Sequence, residues 1–208
     1  MAEGMRERKK QRTRRELVEA AIRLFDRQGY EQTTVAQIAA AADVGTRTFF
    51  GYFPSKEDVL FADAAAFTEA ALAAVADRRP GEHYSELLVR VVRQALAFDA
   101  SAVGLAGELP AVRVRLVLSV PALQARALRQ LFAIQARLAE ALHRAYPAEL
   151  DEYAAAAAVG ALVGAVVSAG LAVRSADPDA DHAEIERVVG IGLATALAGI
   201  GPDRRPAG

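Results

Sequence analysis

The stretch from Asp43 to Leu60, DVGTRTFFGYFPSKEDVL, sets the tightest limit on what this chain can become. Four aromatics (Phe49, Phe50, Tyr52 and Phe53) fill five positions, broken only by Gly51, in a chain of 208 residues with 8 Phe, 5 Tyr and no Trp. The segment lies between a turn signal, Asp43-Val44-Gly45, and Pro54. Asp and Gly tolerate the left-handed backbone of a tight turn, and a proline disfavours helical geometry in the residue before it. The aromatics therefore belong to a short helix over Thr46–Tyr52. Seven residues cannot hold a helix by propensity alone, so this one must be fastened to its neighbours by buried area, which aromatics supply best. At 3 and 4 spacing Phe49, Tyr52 and Phe53 share a face and are expected to pack on Ile22, Phe25 and Ile38. The opposite face presents Thr46, Arg47, Phe50 and Gly51.

The rest of the chain reads as helix after helix. Leu17, Val18, Ala21, Ile22, Leu24 and Phe25 recur at helical spacing over about 9–28, and Gly29 is a left-handed stop. Thr34-Val35-Ala36-Gln37 fits a capping box opening a helix over about 35–42. Ser55 with Asp58 starts another helix expected to run to about Asp77, where Arg78-Arg79-Pro80-Gly81 breaks it. Further helices fit about 84–99, 103–119, 121–146, 149–175 and 181–199. Residues 112–120, VRVRLVLSV, alternate as a strand would, but a lone strand has no partner here, so helix is the reading. The fold class is all-α, with a frayed tail at 201–208.

Charge is unevenly spread. Residues 1–56 hold 11 Lys+Arg against 7 Asp+Glu, a balance of +4, and the remaining 14 against 19 give −5. A basic binding end on an acidic body follows. With no Cys, disulfides, thiolate nucleophiles and Cys-bound zinc are excluded, and a cytosolic location fits. No apolar run follows the charged N-terminus, so no signal peptide is expected. Tyr153 to Val173 carries no charge and is about long enough to cross a bilayer. It is rich in weakly apolar Ala and Gly and lacks Trp and a Lys flank, so a buried helix in a soluble bundle is the better reading. His83, His143 and His182 are far apart, no nucleophile motif is present, and Gly190-Ile191-Gly192 has no strand before it. Neither an enzyme nor a cofactor is expected.

Helix, three-residue turn, short helix is the helix-turn-helix arrangement, whose second helix enters the major groove of DNA. On that reading Arg47 can donate twice to guanine O6 and N7, and Thr46 and Thr48 can meet phosphates or a thymine methyl. Gly51 lets the backbone come close to the duplex, and Lys56 can hold a phosphate. Arg12 and the other bases of the N-terminal arm supply sequence-independent attraction. The plainer reading of the same residues is a solvated basic tail and an aromatic core cluster.

The run RRELVEAAIRLFDRQGYEQTTVAQIAAAADV, followed by TRTFFGYFPSKEDVLFAD, resembles the N-terminal domain of the TetR (tetracycline repressor) family of bacterial transcription regulators. The likeness covers about residues 10–63. It implies a three-helix DNA-binding domain over 8–62 and a helical effector-binding and dimerisation domain over 63–200. It further implies a homodimer, formed through helices 149–175 and 181–199, that binds a palindromic operator on double-stranded DNA as a repressor released by a small-molecule effector. Thr34 and Lys56 match phosphate contacts of the family, and Thr46, Arg47, Thr48 and Tyr52 match positions facing bases or backbone. Two departures stand out. Gly45 replaces the usual Ser cap of the reading helix, and Gly51 stands where a larger side chain is frequent. The effector site is expected between helices of the body, with Val92, Phe98, Leu116, Phe132 and Gln135 as liners and Arg113 or Arg115 as polar anchor; Phe98 and Phe132 also read as plain core. The apolar helices favour an apolar or amphipathic effector. A transcriptional activator and an architectural DNA-binding protein without ligand response are the alternatives.

Overall fold

The computed structural model describes residues 2–101, 109–177 and 182–200. Among them the regular elements are helical: α1 (Ala2–Gln28), α2 (Val35–Ala41), α3 (Thr46–Tyr52), a 3-10 turn (Asp58–Phe61), α4 (Ala64–Ala76), α5 (Tyr84–Ser101), α6 (Leu109–Ser119), α7 (Pro121–Ala145), α8 (Glu152–Ala176) and α9 (His182–Ile200). The alternating run at 112–120 is helical, as α6. The tail at 201–208 lies outside the described residues. The chain divides into two compact units, Met1–Ala65 with Ala100–Gln130, and Ala66–Asp99 with Leu131–Gly208.

In the first unit, the expected apolar face of α1 closes over α2 and α3. Leu17, Ala21, Ile22, Ile38, Phe49, Val59 and Leu60 are fully buried, joined by Phe25, Phe53 and, from α6 and α7, Val112, Leu116 and Leu123. Gly29 ends α1 at φ 85°, in the left-handed region that its missing Cβ makes accessible. Three Arg–Asp pairs tie α6 and the start of α7 to the rest of this unit: Arg113 to Asp63 at 3.7 Å, Arg115 to Asp26 at 2.6 Å, and Arg126 to Asp58 at 2.9 Å.

The structure corrects two expectations here. Helix α1 begins at Ala2 rather than near residue 9, so the basic arm is helix, not tail. Its residues are strong helix formers, and i,i+4 pairs knit it: Gln11 donates to Glu7 at 3.2 Å and Arg12 meets Glu16 at 3.0 Å. The helix expected from Ser55 to Asp77 is interrupted instead. Ser55 Oγ meets Asp58 at both its carboxylate (2.8 Å) and its N–H (3.4 Å), which opens only the short 3-10 turn, and α4 starts afresh at Ala64. Val59 and Leu60 are thereby turned into the core.

In the second unit, Leu87, Leu142, Tyr146, Ala155, Val159 and Leu162 centre the core. Asp151 caps α8, its carboxylate accepting from the Ala154 N–H at 2.7 Å. Helices α8 and α9 pack closely, and a Cβ at Gly192 would lie 3.1 Å from the Ala165 carbonyl oxygen and 3.2 Å from the Ala169 Cβ. By length and composition Asp58–Ala76 and Glu152–Val173 could each cross a membrane; the first is divided by the turn before α4, and the second lies against α9.

The loop between α4 and α5 is locked by one arginine. Arg90 forms a two-pronged pair with Glu82 (3.0 and 2.9 Å) and donates to the carbonyls of Ala74 at 3.3 Å and Asp77 at 3.2 Å, closing the C-terminal end of α4. The Arg90 fork and then the Arg79 N–H hold the Glu82 carboxyl down at about 2. Tyr146 completes the lock by donating to the Glu82 carbonyl at 2.9 Å.

Candidate nucleic-acid interface

The site is built on two short helices and the turn between them. Thr34 and Gln37 form the expected capping box at the start of α2: Thr34 Oγ1 accepts from the Gln37 N–H at 3.2 Å, and Gln37 Oε1 accepts from the Thr34 N–H at 2.8 Å. At the other end, Asp43 adopts φ 54°, and the N–H groups of Asp43 and Val44 return to the carbonyls of Ala40 (3.1 Å) and Ala39 (2.9 Å). This paired return is a Schellman stop, with Asp in the left-handed place usually given to Gly. The chain is thereby redirected into α3, whose N-cap Gly45 offers no side-chain cap.

What holds α3 is packing. Phe49 is fully buried and Phe53 nearly so, their ring centroids 5.8 Å apart. Arg14 of α1 lies over the Phe53 ring at 5.1 Å and donates to the Ala62 carbonyl. Tyr52 is half-buried at the edge of this cluster. Outward face Thr46, Arg47, Thr48 and Gly51, all exposed, and Phe50, which keeps 56% of its surface in water. Among the described residues, no carboxylate pairs with Arg47. An unpaired, exposed guanidinium on a pinned helix can form a two-pronged hydrogen bond to an incoming partner at little cost in internal contacts.

The remaining expected contacts are differently placed. Arg12 is exposed and engages only its own-helix neighbour Glu16, a weak and exchangeable pair. Lys56 turns inward: its ammonium donates to the carbonyls of Tyr30 (2.9 Å) and Thr33 (3.2 Å) and sits 4.0 Å over the Tyr30 ring. Tyr30 in turn donates to Glu57. Burial first, and then the Glu57 carboxylate, push the Tyr30 phenol far up, so it stays a donor. Burial works to raise Glu57, but hydrogen bonds from Ser55 and Tyr30 outweigh it and hold the carboxyl below its ordinary value. Gln28 adds bonds to Thr33 and Gln37, both at 3.2 Å, so the loop between α1 and α2 is stitched from three sides.

Beside α3 an open groove of about 1250 Å³ runs along α1, lined by Arg6, Lys9, Lys10 and Thr13 on one side and by Thr48, Gly51 and Tyr52 on the other. The sequence marks these bases as charge but not as a wall; only the helical course of α1 aligns them.

The expected effector-site residues fall in both units. Leu116 lies in the core of the first unit and Val92 in that of the second. Gln135 is half-buried in the second unit and Phe132 is 64% exposed. Arg113 and Arg115 are paired with Asp63 and Asp26 within the first unit. Phe98 lies outside the residues whose side chains are described.

A capped helix, a Schellman turn and an aromatic-pinned second helix with small polar and basic groups outward define a helix-turn-helix protein. Residues 17–62 match the family model of bacterial regulatory proteins, tetR family. That match is confined to the helix-turn-helix end of the chain. Over 116 residues it is 43% identical to the HTH-type transcriptional regulator TcmR of Streptomyces glaucescens, and over 48 residues 46% identical to the HTH-type transcriptional regulator HbdR of Aromatoleum sp. (strain CIB). These matches take in 55% and 23% of this chain, and 51% and 21% of those proteins. The chain thus spans about half the length of the first curated relative and about a fifth of the second. Two solved structures share the fold. A TetR-family regulator from Syntrophomonas wolfei has TM-score 0.61 at 19% identity, with 91% of this chain and 96% of that one covered. SmeT, the repressor of the Stenotrophomonas maltophilia multidrug efflux pump SmeDEF, has TM-score 0.58 at 20% identity, with 94% of each chain covered.

Proposed function

We propose that this chain is a transcriptional regulator that binds double-stranded DNA as a homodimer, reading an inverted repeat through α3. The observation that carries the reading is the exposed, unpaired Arg47 on a helix anchored from behind by Phe49 and Phe53. Arg47 is the base-reading group, with Thr46 and Thr48 beside it and Tyr52 and Arg12 toward the backbone. Thr34 sits at the edge with its hydroxyl already engaged in the capping box, and Lys56 serves by holding the loop rather than by reaching a phosphate. Repression, with release by a small apolar or amphipathic effector, is the regulatory mode favoured. Support comes from the fold shared with SmeT, which is described as a repressor and was solved in complex with triclosan.

Dimerisation would use α8 and α9. A Cβ at Gly160, Gly164 or Gly190 would meet nothing within 4 Å in the single chain, and Val167, Leu171 and Ile191 keep 39%, 41% and 54% of their surface exposed. Small residues in open space beside exposed aliphatics suit close approach by a second copy. A stable interface of this kind buries roughly 800 Å² per partner.

The deciding experiment is a gel shift on the DNA flanking the chain's own gene, in competition with unrelated duplex. A sequence-specific shift at physiological salt is expected, and its absence would sink the reading. In the same assay Arg47→Ala should lose about 1–3 kcal/mol of discrimination at one base position. A uniform loss across all sequences would make Arg47 a phosphate contact instead.

A further inference from the structure

Gly51 has no reason in the fold to be glycine. Gly29 and Gly81 sit at φ 85° and 76°, and Gly192 lies against the Ala165 carbonyl, so each meets a backbone or packing demand. Gly51 meets neither. Its backbone is helical without a positive φ, it is exposed, and a Cβ built on it would meet nothing within 4 Å. It also stands inside a helix of seven residues, where glycine is the poorest choice after proline. Alanine would fit the isolated chain as well or better, so nothing within the isolated chain asks for a bare backbone at this position.

What lies beside Gly51 says what that is. The residue lines the groove between α1 and α3 with Thr48 and Tyr52. The opposite wall is the extension of α1, which carries no buried residue between Gly4 and Glu16 and reaches roughly 20 Å beyond the core at 1.5 Å per residue. Arg6, Lys9 and Lys10 on that wall are exposed and, among the described residues, have no carboxylate partner. Of the acids that line the groove, Glu16 pairs with Arg12 at 3.0 Å and Glu19 with Arg15 and Arg23 at 3.8 Å on their own helix, while Asp43 stands exposed at the turn before α3. The outer part of the α1 wall is cationic, the facing wall is small and hydroxylated apart from Asp43 at its turn, and the groove is open to solvent. This suits an extended polyanion.

We propose that the groove seats one sugar–phosphate strand of the duplex, that Arg6, Lys9 and Lys10 neutralise its phosphates, and that Gly51 sets how closely the strand approaches α3. The proposal rests on the DNA-binding reading above and adds a specificity-determining position to it. A side chain at position 51 pushes the strand away from Thr48 and Arg47, so base readout weakens although the fold is unharmed.

The test uses the full chain, a short duplex enriched from a randomised pool by the wild-type protein, and an unrelated duplex of equal length. Gly51→Ala should melt at or a few degrees above wild type, and Gly51→Gln should keep its helix content. Gly51→Gln should raise the Kd for the enriched duplex roughly tenfold or more, the loss of one good contact, with Gly51→Ala between it and wild type. Replacing Arg6, Lys9 and Lys10 together by Gln should lower the slope of log K against log salt by about 2.7 on both duplexes, at about 0.9 per phosphate neutralised, with the ratio between the duplexes kept. A folded Gly51→Gln that binds like wild type, or a triple variant with the wild-type slope, overturns the proposal. If the pool enriches nothing while the slope still falls on unrelated duplex, it is sequence-specific regulation that fails and the strand-seating groove that stands.

Discussion

Replacing Lys56 by Gln separates two roles that one ammonium could play. In the structure its Nζ bonds two carbonyls, at 2.9 Å to Tyr30 and 3.2 Å to Thr33, and lies 4.0 Å over the Tyr30 ring. Hydrogen bonds from charged donors are worth roughly 1.5–3 kcal/mol each by deletion, and an exposed cation–π contact about 0.5–1 kcal/mol. The site is only half-buried, so water reaches the freed carbonyls and the sum must be discounted. A loss of about 2 kcal/mol remains. For a chain of this size 1 kcal/mol moves the melting point about 2–4 °C, so Lys56→Gln should melt about 4–8 °C below wild type. Thermal unfolding followed by circular dichroism reads this directly. The salt dependence of DNA binding should stay at the wild-type slope, because the ammonium is committed to the loop. If the melting point stays within about 1 °C while the slope falls by about 0.9, Lys56 is a phosphate ligand and its bonds to the loop are incidental.

Phe49→Ala removes the fully buried ring that fastens α3 and should cost about 3–5 kcal/mol, seen as a collapse of the first unit's cooperative unfolding transition. Gly192→Val forces branched methyls against the Ala165 carbonyl, already 3.1 Å from where a Cβ would sit, and should destabilise the α8–α9 pair by about 1–3 kcal/mol in urea titration. Glu82 titrates at about 2 in the fold against 4.5 ordinarily, so its contribution is fully present above pH 4.5 and is lost as pH falls from there toward 2. Melting curves of Glu82→Gln should accordingly fall less steeply than wild type below pH 4.5. Light scattering should give about twice the 22.0 kDa chain mass, and a single-chain mass would remove the dimer from the proposal.

Much of the helix-turn-helix was legible because its signals are local. A Thr-x-x-Gln capping box, an Asp-Val-Gly turn and an aromatic face at 3 and 4 spacing each involve residues within one or two turns of each other, and α2, α3 and the Asp43 stop form where those patterns place them. What escaped depends on distant partners. Nothing near Lys56 in sequence announces that it will find carbonyls 26 and 23 positions away, or that Arg115 will meet Asp26 across 89 positions. The interruption before α4 was hidden for a related reason: the Ser-x-x-Asp signature marks a helix start but not its kind, and core packing of Val59 and Leu60 decides for a 3-10 turn. The early start of α1 is a different failure. Its charges read as a tail because no apolar face accompanies them, yet pairs at i,i+4 suffice to carry a helix already nucleated by the core behind it.

The division of labour within α3 also bears on how such a protein diverges. Phe49 and Phe53 hold the helix, while Thr46, Arg47 and Gly51 touch little of the fold and Phe50 sets only its ring edge against Phe49. Substitutions at those four positions can therefore accumulate with small effects on stability. On the proposed DNA-reading role, a duplicated gene could drift to a new target sequence one outward residue at a time, each intermediate still folded, and the aromatic pair behind would act as a chassis that need not change.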